Sequence, residues 1–144
     1  MIIYKNQISA EDVNKLRTSI GFSQLDKRQI ESGLEGSQLV IAAYEEKVVG
    51  MARLLWDGGA VAFILDLMVL PEYKKTNLEK DMVMQILEYL HSKLQPGFGI
   101  QVDVKAWKSQ ISLYDSLGFV ESTWQGRGRP MHICLTDQIE LARI

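Results

Sequence analysis

Leu78, Met82, Ile86, Leu90 and Leu94 recur every fourth residue, with Val83 and Leu87 beside them. This broad apolar stripe predicts a long amphipathic helix starting near Asn77 and stopped by Pro96-Gly97. Just before it, Ile64-Leu65-Asp66-Leu67-Met68-Val69-Leu70-Pro71-Glu72-Tyr73 reads as a strand running into a tight turn. Just after it, Ile100, Val102 and Val104 alternate with polar residues as a second strand. A helix of this length between two strands is a right-handed crossover between parallel neighbours. The stretch therefore fixes a parallel strand pair with a helix N-terminus at the end of the first strand, where unpaired N–H groups and the positive end of the macrodipole favour phosphate.

Upstream, residues 39–44, 48–55 and 60–69 are three strand-like runs with separators short enough for an antiparallel meander. Ser9 can cap a first helix whose apolar face is Val13, Leu16 and Ile20, with Ile8 and Val13 at staple spacing. Asp26 can cap a second helix carrying Ile30 and Leu34, ended by Gly33 and Gly36. Downstream, residues 109–117 read as a short helix stopped by Gly118. Phe119-Val120 opens another strand, residues 125–130 form a loop, and residues 131–135 form a last strand in which Cys134 is buried. The whole is a mixed sheet of α+β class, antiparallel at one side and parallel at the other, flanked by helices.

With 144 residues, a single domain over 1–144 can bury a core without disulfides or metal. A net charge of −2 disfavours nucleic acid as a partner, because that binding needs concentrated positive charge. No window reaches the roughly 18 apolar residues of a membrane span, and Met1-Ile2-Ile3-Tyr4-Lys5-Asn6 lacks a signal-peptide apolar region. A cytoplasmic protein, not bound to membrane, is the expectation. His91 and His132 are far apart, with no second ligand at metal spacing, so no metal is expected.

Two blocks carry a family resemblance. One is Asp66-Leu67-Met68-Val69-Leu70-Pro71-Glu72-Tyr73 with its helix; the other is Leu113-Tyr114-Asp115-Ser116-Leu117-Gly118-Phe119, with Gly50 as a weaker support. From about Ser9 to Leu135 the chain resembles the GNAT superfamily of N-acetyltransferases. The resemblance implies a GNAT-like mixed sheet with a splayed parallel strand, and transfer of an acetyl group from acetyl-coenzyme A, as cosubstrate, to the amine of a small molecule or peptide. It also implies that pantetheine pairs with the strand end at Met68, Val69 and Leu70, and that the pyrophosphate meets Lys74, Lys75, Thr76, Asn77, Leu78, Glu79 and Lys80.

The chain departs from the family pattern at that turn. Small residues expected at two positions are Asn77 and Glu79, and Trp107 stands where many relatives have asparagine. Asn77 is expected to stand in for glycine through its tolerance of the left-handed region. Glu79 would repel a pyrophosphate, and Thr76-Asn77-Leu78-Glu79 also spells a capping box, in which Thr76 and Glu79 would satisfy each other's N–H groups. Lys74, Lys75 and Lys80 pull towards phosphate, or form a plain solvated turn. The expectation is weakened coenzyme A binding; the alternative function is a non-catalytic binding or regulatory module of the same fold.

Within the resemblance, Tyr114 would hydrogen-bond the departing thiolate; otherwise it is a packed aromatic. Asp66 falls on one face with Ala62, Ile64 and Met68, because residues alternate sides along a strand. It is a candidate base for an ammonium substrate, a structural partner of Arg53, or simply exposed at a sheet opening. Arg127, Arg129 and His132 beside the last loop are read as solvated. Trp56, Trp107 and Trp124 are either acceptor-pocket or packing residues. The chain is expected to be a monomer or homodimer, and polyamine, aminoglycoside, amino acid and protein N-terminus all remain open as acceptors.

Overall fold

A computed structural model describes residues 1–121 and 130–138. The chain divides into two compact units, Met1–Lys105 and Ala106–Ile144. The first holds strands β1 (Ile3–Lys5), β2 (Leu39–Glu45), β3 (Lys47–Trp56), β4 (Val61–Val69) and β5 (Gln101–Val104), with helices α1 (Ala10–Ser19), α2 (Lys27–Glu35) and α3 (Leu78–Ser92). The sheet runs in the order β1-β2-β3-β4-β5. Its first four strands are antiparallel, and β5 joins β4 in parallel across the α3 crossover. The expected mixed sheet flanked by helices is therefore present, with the meander strands placed within about a residue of their expected bounds. The three-residue β1, Ile3–Lys5, is an addition that no apolar alternation announced.

Caps fall where the sequence puts them for the first two helices. Ser9 Oγ accepts the N–H of Asp12 at 3.1 Å, and Asp26 Oδ1 accepts that of Arg28 at 2.8 Å. Val13 and Leu16 of α1 meet Ile30, Met51 and Met68 in one cluster, with Ile8, Ile20 and Leu34 packed against it. Gly50 lies on the opposite side of β3 from Met51, since neighbours alternate faces. A β-carbon there would stand 3.0 Å from Val69 Cγ1 and 3.1 Å from Met82 Cε of α3. So α1 and α2 cover one face of the sheet and α3 the other, with glycine required at the closest approach of β3 to α3. Leu78, Met82, Val83, Ile86 and Leu90 are the buried stripe of α3.

Tyr44 ties β2 to α1: its hydroxyl donates to Asp12 Oδ2 at 2.9 Å, and Lys5 Nζ sits 4.8 Å from its ring centroid. Burial, then the hydrogen bond to Asp12 and its negative charge, push the phenol up to about 12.

Among its described residues, the second unit has a 3-10 turn (Lys108–Gln110) and α4 (Ile111–Ser116). Gly118 has φ +91°, the left-handed conformation that ends a helix without Cβ strain. The expected strands at 119–120 and 131–135 do not form: residues 119–121 and 130–135 carry no strand, and Met131, Ile133, Leu135 and Cys134 are exposed. Period-two apolar alternation specifies a strand only where a neighbour supplies a ladder and a core face, and among the described residues none pairs with these segments. The loop at 125–130 falls, except for Pro130, outside the described residues.

Two outcomes are expected. Gly50→Ala should cost about 1–3 kcal/mol by urea denaturation, since Val69 and Met82 must both move; an unchanged midpoint would show the contact to be slack. Tyr44, held protonated above the ordinary phenol value of about 10, stabilises the fold fully below that pH and loses its contribution as pH rises through about 12. A difference titration of phenolate absorbance between the parent chain and Tyr44→Phe should show the high-pH tyrosine missing from the variant.

Candidate active site

β4 is not a regular strand. Arg53 pairs with Leu65 whereas Met51 pairs with Met68, so Asp66 and Leu67 together oppose Ala52. This is a β-bulge, and Asp66 occupies its left-handed position with φ +53°. The extra residue reverses the alternation beyond it. Ile64, opposite Leu54, and Met68, opposite Met51, lie on different faces, which corrects the expectation that Asp66, Ile64 and Met68 share one. The Asp66 carboxylate instead joins Arg53: Nε donates to Oδ2 at 2.6 Å, with 34% of the Asp66 side chain exposed. Arg53 Nη1 also donates to the Gly33 carbonyl and to Ser37 Oγ, both at 3.3 Å. Asp66 is thus the partner of Arg53 and also faces solvent.

The bulge coincides with a parting of strands. β5 pairs with β4 only from Val61↔Gln101 to Ile64↔Val104, and β4 runs on to Val69. Met68 and Val69 are buried, and the Leu70 N–H returns to the Val49 carbonyl at 2.9 Å. The chain then makes a 3-10 turn (Pro71–Tyr73). Tyr73 anchors that turn to the end of β2 through Glu45 Oε1 at 2.6 Å. This bond holds the Tyr73 phenol above its usual value, and it is the leading cause that keeps Glu45 below its own.

At the α3 N-terminus the capping box does not form. Thr76 Oγ1 donates to the Tyr73 carbonyl at 2.6 Å and accepts the N–H of Leu78, at 3.2 Å, while the Thr76 N–H goes to the Tyr73 carbonyl. The preceding turn has claimed Thr76, so it cannot reciprocate with Glu79. Asn77 is the cap residue at φ −86°, outside the left-handed region, so it does not use the freedom for which glycine was thought necessary. The main-chain N–H groups of Asn77 and Lys80 make no hydrogen bond among the described residues. Glu79 is buried, and Lys74 Nζ meets its Oε2 at 3.1 Å. The carboxylate expected to repel a phosphate is neutralised by one of the lysines expected to attract it. Lys75 and Lys80 are exposed.

Beside the bulge, on the α1/α2 face, lies a cavity of about 460 Å³. Its apolar wall includes Val13, Ile30 and Met51; Arg17, Arg53 and Asp66 bring charge. Sequence reasoning overlooked Arg17, although its spacing from Val13 places both on one face of α1. Among the described residues no group of three or more His, Cys, Asp or Glu is placed to hold a metal, and no helix is long and apolar enough to cross a membrane.

Tyr114 stands in the second unit. It is buried, and its ring meets Phe119 edge-on with centroids 5.1 Å apart. Trp107 is exposed and opens the turn before α4, its N–H donating to Gln110 Oε1 at 3.3 Å. Trp56 Nε1 donates to the Gly59 carbonyl, and His132 is exposed. Trp124, Arg127 and Arg129 lie outside the described residues.

Residues 4–135 match the family model for the acetyltransferase (GNAT) domain. The chain belongs to the GNAT acetyltransferase family. An uncharacterized N-acetyltransferase, ycf52, of Pyropia yezoensis is 24% identical over 119 residues, covering 79% of this chain; the chain spans 66% of that relative's length, just under two thirds. A GNAT-family acetyltransferase from Streptococcus pneumoniae superposes with a TM-score of 0.73 at 25% identity, covering 95% of this chain and 99% of that one. A protein of unknown function from meticillin-resistant Staphylococcus aureus shares the fold with a TM-score of 0.83 at 24% identity, over 94% of this chain and all of that one.

The bulge makes a graded prediction. Asn tolerates the left-handed region and Ala does not, so Asp66→Ala should lose about 1 kcal/mol more stability than Asp66→Asn in urea titrations. Equal losses would mean that the backbone relaxes out of the bulge.

Proposed function

We propose that the chain is an N-acetyltransferase that moves an acetyl group from acetyl-coenzyme A to an amine by direct attack. The observation that carries this reading is β4 itself: past its last pair with β5 it leads directly into the lysine-bearing N-terminus of α3. Acetyl-coenzyme A would supply the activated acyl group as a thioester.

In this reading the main chain at Met68, Val69 and Leu70 binds the pantetheine arm. The Asn77 and Lys80 N–H groups, with the Lys75 and Lys80 ammonium groups, receive the pyrophosphate, while Thr76 and Leu78 shape the turn. Lys74 keeps Glu79 neutralised so that its carboxylate does not oppose the anion. The α1/α2 cavity receives the acceptor. Asp66, at its rim, takes the proton that the amine sheds as nitrogen bonds to the acyl carbon and the carbon–sulfur bond breaks. Tyr114 enters through its motif, residues 113–119, as hydrogen-bond donor to the departing sulfur.

A non-catalytic module of the same fold is the second reading, favoured by the side chains at Asn77 and Glu79 in place of small residues. A thermal-shift titration with acetyl-coenzyme A separates binding from its loss. Ligand at about 100 times its dissociation constant should add roughly 2.7 kcal/mol of stability, and no shift at millimolar ligand would end the acetyl-transfer reading. Tyr114→Phe should then lower kcat about tenfold or more with the acetyl-coenzyme A affinity unchanged; parent-level turnover would remove Tyr114 from the mechanism.

A further inference from the structure

We infer that the acceptor is an apolar α-amino acid, whose ammonium group is met by Asp66 and whose carboxylate is met by Arg17 and Arg53. The inference rests on the acetyl-transfer reading for its chemistry, but on the cavity alone for its selectivity.

Arg53 is held by most of its guanidinium edge. Nε is committed to Asp66, and Nη1 to Gly33 and Ser37. Nη2 makes no hydrogen bond among the described residues. Arg17 is likewise fixed at one edge, with Nε donating to the Ser23 carbonyl at 2.9 Å and its guanidinium carbon 5.3 Å from the Phe22 ring centroid. Its Nη1 and Nη2 also lack hydrogen-bond partners among the described residues. Both side chains line the same cavity. Guanidinium groups anchored through Nε present their remaining N–H donors with little further entropy to lose, and carboxylate is the anion that fits such a planar fork.

The charges select against the other amines. Two arginines and one aspartate give the cavity wall a net positive charge, which repels a polyamine or an aminoglycoside carrying several ammonium groups. An α-amino acid presents one charge of each sign to Asp66 and the arginines. Its side chain would lie on Val13, Ile30, Leu34 and Met51, and the volume of about 460 Å³ is in the range of small-molecule sites. A protein N-terminus lacks a carboxylate at that position and would leave the arginine donors unmatched.

The test is calorimetric titration of the intact chain, without acetyl-coenzyme A, using L-leucine and isoamylamine, which differ by the carboxylate. Leucine should bind at least about tenfold more tightly, and Arg17→Gln should erase that preference while isoamylamine binds as it does to the parent chain. Isoamylamine or spermine binding as tightly as leucine, or no leucine heat at millimolar ligand, would overturn the inference. So would an Arg17→Gln chain that keeps the full preference. Thiol release with acetyl-coenzyme A and leucine is measured in parallel. Leucine bound selectively with no thiol released would remove the acetyl-transfer reading and leave the cavity assignment standing, whereas thiol released equally with both amines would do the reverse.

Discussion

The hydrogen bond from Arg53 to Asp66, at 2.6 Å, holds a backbone that the chain would otherwise avoid. A non-glycine residue in the left-handed region costs about 1 kcal/mol, and a charge-assisted hydrogen bond contributes about 1.5–3 kcal/mol. The bond is therefore sufficient to keep the bulge, and Gly33 and Ser37 fix Arg53 from the other side. Two consequences follow from one inserted residue. The Asp66 carboxylate turns onto the α1/α2 face beside the cavity, and the strand leaves its regular course two residues after its last pair with β5. A bulge bends the strand that carries it, which accounts for the parting of β4 from β5 at that point and not further along.

The turn at the end of β4 works on similar terms. A buried carboxylate at Glu79 would be costly alone, and removing one partner of such a pair leaves an uncompensated charge. Lys74, 3.1 Å from the Glu79 carboxylate, supplies it with a charge of opposite sign. The same arrangement leaves Lys75 and Lys80 on the surface of the turn. Thr76, bound to Tyr73 and Leu78, tightens the turn instead of closing the helix end. Tyr73 is in turn fastened to Glu45, so the α3 N-terminus is anchored to the meander and not only to its own strand.

Much of the fold was legible because strong patterns coincide with strong physics. The apolar stripe from Leu78 to Leu90 is the buried face of α3, and the Ser9 and Asp26 caps act as their letters suggest. What could not be read were features in which backbone geometry departs from the pattern. Ala62, Ile64, Asp66 and Met68 alternate perfectly on paper, and nothing in those letters reveals that a bulge at Asp66 reverses the last of them. Thr76 and Glu79 have capping-box spacing, yet a competing carbonyl at Tyr73 decides where the hydroxyl goes. Met131, Ile133 and Leu135 alternate as a strand would, but alternation does not supply a partner. Asp66 was legible as an unusual residue and Arg53 as its neighbour, whereas the position of Arg17 in the same cavity depends on α1 meeting the sheet beside them.

Under the acetyl-transfer proposal, β4 would serve both substrates of one reaction by different chemical means. Up to the bulge it is an ordinary parallel neighbour of β5, rigid and paired. At the bulge the Asp66 side chain is directed towards the α1/α2 cavity; beyond it, the strand leads through the 3-10 turn to the lysine-bearing start of α3. An acetyl transfer needs its two substrates brought together without either occupying the other's site. A strand whose facing reverses at one residue would meet that requirement under the proposal, because the reversal would set the acceptor's cavity apart from the donor. Arg53 is then more than a partner for Asp66: in the proposed reaction, by holding the reversal in place, it would set where the two substrates meet.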